Sequence, residues 1–325
     1  MNNLREIAQK FKTKGGFEVL ENAAMADRFS FKIGGTTPLL LEPLTEDAFL
    51  YAVNELKNDG IAYFILGGGT NIVFSDDGFD GAVISTLKLN KIEEITSRGT
   101  GTGTDFNADG ETAVISCQCG ALMNTLVNFC TRNGYSGLEQ FCGLPGTVGG
   151  ASYMNARCFD REISDVVRKI EYFTKNDAGT YEKREMMMDK SSWSYKISPF
   201  TGTDDIVFRV EFSVKKENEA KRSEIAEKAA GYMKQRVDKG HFKFPCAGSV
   251  FKNNRDFGAP SGQIIDEAGL KGYSIGDAQI APWHGNIIIN TGKAGSKDVK
   301  ALVDYIKAQI KEKKGFELEE EIIFK

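Results

Sequence analysis

Ile61-Ala62-Tyr63-Phe64-Ile65-Leu66-Gly67-Gly68-Gly69-Thr70-Asn71 reads as a buried strand running straight into a glycine loop. Backbone without side chains can press against a phosphate-bearing ligand and offer it bare N–H donors. A strand feeding such a loop is the arrangement of many nucleotide sites. The spacing is not Gly-x-Gly-x-x-Gly, however, and no helix start follows Asn71, which argues against a standard Rossmann site. Upstream, Thr45 is placed to cap a helix with Phe49, Ala52, Val53 and Leu56 on its apolar stripe. Glu46 and Asp47 favour its positive end, and Asn58-Asp59-Gly60 stops it. Taken alone, the glycine loop would serve equally well as a tight turn.

Working outward, a second loop follows, Gly143-Leu144-Pro145-Gly146-Thr147-Val148-Gly149-Gly150, which read alone could be a structural crossover. A glycine-flanked serine comes later, in Ala247-Gly248-Ser249-Val250-Phe251-Lys252-Asn253. Room for a large nucleotide together with one positioned hydroxyl describes a cofactor enzyme.

A chain of 325 residues predicts two or three domains. Its 35 glycines exceed the usual share of about 7%, consistent with sites shaped by backbone. The net charge of -4 argues against a nucleic-acid partner, which needs a basic surface. Cys117, Cys119, Cys130, Cys142, Cys158 and Cys246 form no Cys-x-x-Cys, and His241 and His284 are the only histidines. No metal centre is expected from that set. Leu4, Ile7, Ala8 and Phe11 share one helical face where a signal peptide would stand, and no apolar run approaches a membrane span of about 18 residues. Reduced thiols and a cytoplasmic location are the expectation.

Strands are predicted at Ala113–Ser116, Val166–Phe173 and Ile206–Val214, with a helix at Leu122–Cys130. Residues 98–110 are low-complexity and read as a hairpin tip. A helix from Glu219 to Gln235 opens the last part of the chain. Ser296 is expected to cap a helix burying Val299, Leu302, Val303, Ile306 and Ile310, and Leu318 to Phe324 reads as a final strand.

Five blocks stand in order: Phe31-Lys32-Ile33-Gly34-Gly35, Gly137-Leu138-Glu139 through Met154-Asn155-Ala156, Ala247 to Asn253, Ala268-Gly269-Leu270-Lys271-Gly272, and Leu318-Glu319-Glu320-Glu321. Together they resemble the UDP-N-acetylenolpyruvoylglucosamine reductase (MurB) family, in its short form without an added tyrosine loop. The resemblance implies an α+β fold of three domains: 1–88 and 89–218 forming a vanillyl-alcohol-oxidase/PCMH-type FAD-binding fold, and 219–325 an α/β substrate domain ending in the strand with Glu321. It implies NADPH as reductant and a nucleotide-sugar substrate, UDP-N-acetylglucosamine enolpyruvate, reduced to UDP-N-acetylmuramate for peptidoglycan. A monomer is expected, and charge and hydropathy leave no nucleic-acid or membrane partner expected. Thr70 stands where related oxidases tether flavin through a histidine, so the FAD should be non-covalent.

By the same resemblance, Gly67, Gly68, Gly69, Thr70 and Asn71 cradle the FAD pyrophosphate. Gly143, Pro145, Gly146, Thr147, Gly149, Gly150 and Asn155 lie against the flavin. Ser249 is the proton donor: hydride arrives at the methylene carbon of an enol ether, and the neighbouring carbon becomes basic enough to take a hydroxyl proton. If Ser249 to Asn253 is extended, Ser249, Phe251 and Asn253 share a face, so Asn253 would bind substrate together with Arg236 and Tyr195. Arg236 could instead cap its helix. Glu321 is implied to support the enolic intermediate. Glu317, Glu319 and Glu321 would share a strand face, so spacing does not choose among them; only the Leu-Glu-x-Glu alignment does.

Departures from the family pattern cluster near the substrate carboxylate. In Tyr195-Lys196-Ile197-Ser198-Pro199-Phe200, lysine replaces a catalytic arginine and loses its two-pronged geometry. One lost charge-assisted hydrogen bond costs about 1.5–3 kcal/mol, or about ten- to a hundredfold in rate. Arg157-Cys158-Phe159-Asp160 replaces Gly-x-Tyr-Gly, with Arg157 a candidate substitute cation, and Ile323 replaces a frequent arginine. These changes keep two other readings open: a flavin-binding paralogue without reductase activity, and a flavin oxidase of another substrate.

Overall fold

A computed structural model describes residues 2–95 and 112–325. The expected hairpin tip at 98–110 lies outside the described residues.

The first unit contains α1 (Asn2–Lys14), β1 (Phe17–Ala24), β2 (Thr36–Pro43), α2 (Glu46–Asn58), β3 (Tyr63–Leu66), β4 (Ile72–Val73) and β5 (Ala82–Ser85). Its sheet runs β1-β2-β5-β3, antiparallel at β1 and parallel beyond. Ile7, Ala8 and Phe11 of α1 are buried against the stripe Phe49, Ala52, Val53 and Leu56 of α2. Thr45 Oγ1 accepts the Ala48 N–H at 3.1 Å, the expected cap. The strand before the glycine loop begins at Tyr63, two residues later than the apolar run suggests.

The second unit contains β6 (Ile92–Ile95), β7 (Thr112–Gln118), α3 (Met123–Asn133), β8 (Tyr135–Ser136), α4 (Val148–Tyr153), β9 (Arg157–Cys158), β10 (Arg161–Glu162), β11 (Val167–Lys175), β12 (Tyr181–Met187) and β13 (Ile206–Lys216). Its antiparallel sheet has the order β12-β11-β13-β7-β6. Helix α5 (Arg222–Asp238) follows, and it packs here rather than on the last part of the chain. Ala229 joins this core, with Tyr232 and Met233 against it.

The third unit contains β14 (Cys246–Ser249), α6 (Ser261–Glu267), β15 (Ser274–Ile275), β16 (Ala278–Ile280), β17 (Ile287–Asn290), α7 (Ser296–Lys314) and β18 (Ile323–Phe324). Its sheet is β14-β17-β16-β15, covered by the buried face Val299, Leu302, Val303, Ile306 and Ile310 of α7.

Two expectations are corrected here. The N-cap position of α7 falls on Gly295, whose N–H donates to Asp298 at 3.0 Å. Ser296 instead donates its N–H (2.7 Å) and its hydroxyl (2.9 Å) to Asp76 of the first unit. A carboxylate beside a helix N-terminus satisfies orphan donors and opposes the helix dipole, which a hydroxyl cannot do as well. The final strand shrinks from Leu318–Phe324 to Ile323–Phe324, parallel to β4. The segment before it makes a single bridge, Glu320 to Phe251, because it is crossing from the third unit to the first.

That crossing is one of several stitches. Phe31, Ile33 and Val73 of the first unit are buried in the third unit's core. Ser30 Oγ donates to the Cys246 carbonyl at 2.6 Å, and Asn290 Nδ2 to the Phe31 carbonyl at 3.2 Å. The six cysteines are free thiols, and no described helix is long and apolar enough to cross a membrane.

Removing the Asp76 carboxylate should loosen the third unit. Asp76→Ala is expected to cost about 1 kcal/mol in a urea titration, the size of a lost helix cap, and to speed proteolytic cleavage near Gly295.

Candidate active site

The two glycine loops meet. A Cβ built on Gly68 would stand 2.6 Å from the Gly146 Cα, and one on Gly67 would stand 2.7 Å from Thr147 Oγ1. Gly69 (φ +61°) and Gly146 (φ +101°) also hold backbone shapes that favour glycine. Beside the contact lies a cavity of about 310 Å³, lined in part by Arg28, Ser30, Gly68, Thr70, Leu122 and Gly146.

The loops offer different things. Among the described residues, the N–H groups of Gly68, Gly69, Thr70 and Asn71 donate no hydrogen bond. They remain available for an anion. In the second loop the Gly143 N–H donates to Asn124 Oδ1 (2.7 Å), Gly149 to the Cys119 carbonyl (2.8 Å) and Gly150 to Thr147 Oγ1 (3.3 Å). Its contribution is close-packed backbone, with Pro145 exposed at its turn.

Two asparagines expected at the cofactor are occupied elsewhere. Asn155 is buried, and its amide donates to the Ser194 carbonyl (2.8 Å) and to Glu162 (3.1 Å), while Oδ1 accepts the Ser164 N–H (3.1 Å). It knits the loop after α4 to the segment carrying Lys196. Asn71 Nδ2 donates to the Glu321 carbonyl at 2.9 Å, and its own carbonyl accepts the Ile323 N–H at 3.0 Å.

Lys196 and Glu321 come together although they lie far apart in the chain. Lys196 Nζ sits 2.5 Å from Glu321 Oε1, with side chains only 12% and 8% exposed. Glu319 and Glu317 are 72% and 55% exposed, so burial makes the choice that strand spacing could not. Burial pushes the Glu321 carboxyl above the ordinary carboxylate range, and the Lys196 charge pulls part of the way back. Lys196 itself holds φ +60°, and the Tyr195 ring lies 6.0 Å from its ammonium.

Ser249 ends β14, and the Glu321 N–H donates to the carbonyl of the next residue, Val250, at 2.8 Å. The proposed proton donor and the carboxylate are therefore joined through one peptide. Ser249 is half-buried, and its hydroxyl has no hydrogen bond among the described residues. The expected alternation from Ser249 to Asn253 fails. Gly248 takes φ +76°, the register shifts before Ser249, and both Val250 and Phe251 turn inward. Asn253 is consequently exposed, and its Oδ1 accepts the Ser261 N–H at 2.9 Å to start α6.

Arg236 does not cap α5. Its Nη1 donates to Cys158 Sγ at 3.4 Å, and its chain fills the space that a Cβ on Gly143 would need. Its buried Nε has no partner among the described residues, leaving a donor beside the second loop. Arg157 is held by Asp160 (3.6 Å) and Glu162 (3.9 Å), so its charge is already answered within its own hairpin. One lining residue escaped the sequence reading: Ser30, which lies in no recognisable motif and reaches Cys246 only on folding.

A glycine cradle with free N–H groups, beside a buried ion pair, suits a phosphate-bearing cofactor next to a charged substrate. Residues 37–182 match the FAD binding domain model, and residues 240–325 match the C-terminal domain model of UDP-N-acetylenolpyruvoylglucosamine reductase. The reductase of Treponema denticola is 43% identical over 91% of this chain and 90% of its own length. That of Borreliella burgdorferi is 39% identical over 99% and 97%. The crystal structure of the Thermus caldophilus reductase superposes with a TM-score of 0.72 at 29% identity, covering 95% of this chain and 98% of that one. The chain belongs to the UDP-N-acetylenolpyruvoylglucosamine reductase family.

Gly68→Ala should force the loops apart. Overpacking of about 1–3 kcal/mol predicts flavin bound about ten- to a hundredfold more weakly, read by fluorescence titration. Glu321 gives a pH signature. Its folded-state pKa is raised, so its contribution favours folding at acidic pH and is lost as pH rises through the folded value. Compared with Glu321→Gln, wild-type stability in urea should decline across that window and level off above it.

Proposed function

We propose that this protein reduces UDP-N-acetylglucosamine enolpyruvate to UDP-N-acetylmuramate with NADPH, as an FAD-dependent enzyme of peptidoglycan precursor synthesis. The observation that carries this reading is the buried Lys196–Glu321 pair, tied through Val250 to the strand that ends in Ser249. The free N–H groups of Gly68 to Asn71 suit a pyrophosphate, and the loop Gly67–Asn71 has no histidine for a covalent tether. FAD held by the N–H groups of Gly68 to Asn71 and against the backbone of Gly143 to Gly150 would supply the hydride chemistry, with NADPH as the reductant.

The chain's own residues supply the rest. Ser249 gives its hydroxyl proton to the carbon next to the one that receives hydride. Lys196 presents its ammonium to the substrate carboxylate, stabilising the negative charge that develops there. Glu321 balances that ammonium before substrate arrives, and its raised pKa lets it take up a proton from solvent once the substrate carboxylate replaces it on Lys196. Arg236, with its unpartnered Nε, and Tyr195 are substrate contacts; Asn253 reaches substrate only with its amide nitrogen, since Oδ1 is committed to α6.

We also place the start of the substrate unit after α5, near residue 240, because α5 belongs to the second core. The pieces of the proposed site, Lys196 with Glu321 and the two touching glycine loops, meet within a single copy of the chain, so a monomer suffices for it. Free thiols support a cytoplasmic setting.

The test is anaerobic stopped-flow spectroscopy, with NADPH first and the enolpyruvyl nucleotide second. Wild-type flavin should bleach and then reoxidise. In Ser249→Ala the bleaching should persist while reoxidation slows about 100- to 10,000-fold, the usual worth of a general acid. Unchanged reoxidation would remove Ser249 from its role.

A further inference from the structure

Between β16 and β17 the chain turns through Asn286, a buried residue. Beyond Ser249 the regular pairing of β14 with β17 stops, yet the next two residues remain fully bonded. The Val250 N–H donates to the Asn286 carbonyl at 2.9 Å. The Phe251 N–H donates to Asn286 Oδ1 at 2.8 Å, and Asn286 Nδ2 donates to the Phe251 carbonyl at 2.8 Å. One side-chain amide thus satisfies both main-chain groups of Phe251, standing in for the strand that the register shift removed. The other edge of the same segment carries the C-terminal crossing. There Val250 accepts from Glu321 (2.8 Å), and the Lys252 N–H donates to Glu319 (2.9 Å). Asn286 is itself held, its N–H donating to His284 Nδ1 at 3.2 Å.

We propose that Asn286 is the positioning residue that sets Ser249 and Glu321 relative to each other, by clasping Val250, which follows Ser249 and accepts the Glu321 N–H, and its neighbour Phe251. Its amide fits only a backbone segment, because the contacts it makes are one donor and one acceptor in parallel, the pattern of a missing strand. Replacing it frees Phe251, and the Val250 carbonyl no longer has a fixed direction in which to receive the Glu321 N–H. The proposal rests on the roles given above to Ser249 and Glu321.

The test compares wild type, Asn286→Ala and Asn286→Asp, the last keeping volume and the Oδ1 acceptor but losing the donor to Phe251. Flavin bleaching by NADPH needs neither Ser249 nor Glu321, so it should stay within about twofold of wild type in both variants. Reoxidation by the enolpyruvyl nucleotide should fall about tenfold or more. Hydrogen exchange at the Glu321 amide, measured without substrate, should quicken in both. Equal losses in the two half-reactions, or wild-type reoxidation rates, would overturn the proposal. A wild-type protein that bleaches but is never reoxidised by the nucleotide would defeat the functional reading instead. In that event the Glu321 exchange rate still decides whether Asn286 clasps the segment.

Discussion

Lys196 and Glu321 are opposite charges withdrawn from water, and each would be costly to bury without the other. Their ion pair joins the second unit to the last residues of the chain. Holding it requires the C-terminal segment to cross from the third unit to the first, where Asn71 grips Glu321 by its carbonyl and β18 lies beside β4. The crossing in turn needs Val250 and Phe251 turned inward, so that Val250 can accept the Glu321 N–H. Remove the pair and the three units keep their own cores but lose the charge contact that brings their edges to one point.

The lysine at position 196 fits this arrangement. An arginine offers a planar fork suited to both oxygens of a carboxylate, whereas an ammonium is a point charge. Here the contact is to a single oxygen, Oε1 of Glu321, which a point charge serves well. In the hairpin at 157–160, Arg157 lies near Asp160 and Glu162. The reshaped hairpin also places Cys158 against Arg236, so the change alters the wall beside the second glycine loop and leaves the central pair alone.

Much of the fold was legible in the residues. The capped helix at Thr45, the strand into Gly67, the buried stripe of α7 and the strands of the middle sheet follow from periodicity and caps, which act over a few residues. Less of the site was legible. Asn71 and Asn155 were expected at the cofactor from the family resemblance, and their amides bond to Glu321 and to the Ser194 segment, contacts no local pattern could show. The alternation expected from Ser249 to Asn253 failed because Gly248 adopts a positive φ and Asn286 replaces a strand, neither of which hydropathy can show.

The sequence by itself determined where backbone would lie bare, at Gly67–Asn71 and Gly143–Gly150, and which stripes would be buried, because conformational freedom and hydrophobicity are properties of each residue and its near neighbours. Only the tertiary structure decided which of the C-terminal carboxylates is buried. Glu317, Glu319 and Glu321 are chemically identical, and what separates them is exclusion from water beside Lys196, an environment assembled by segments distant in the chain.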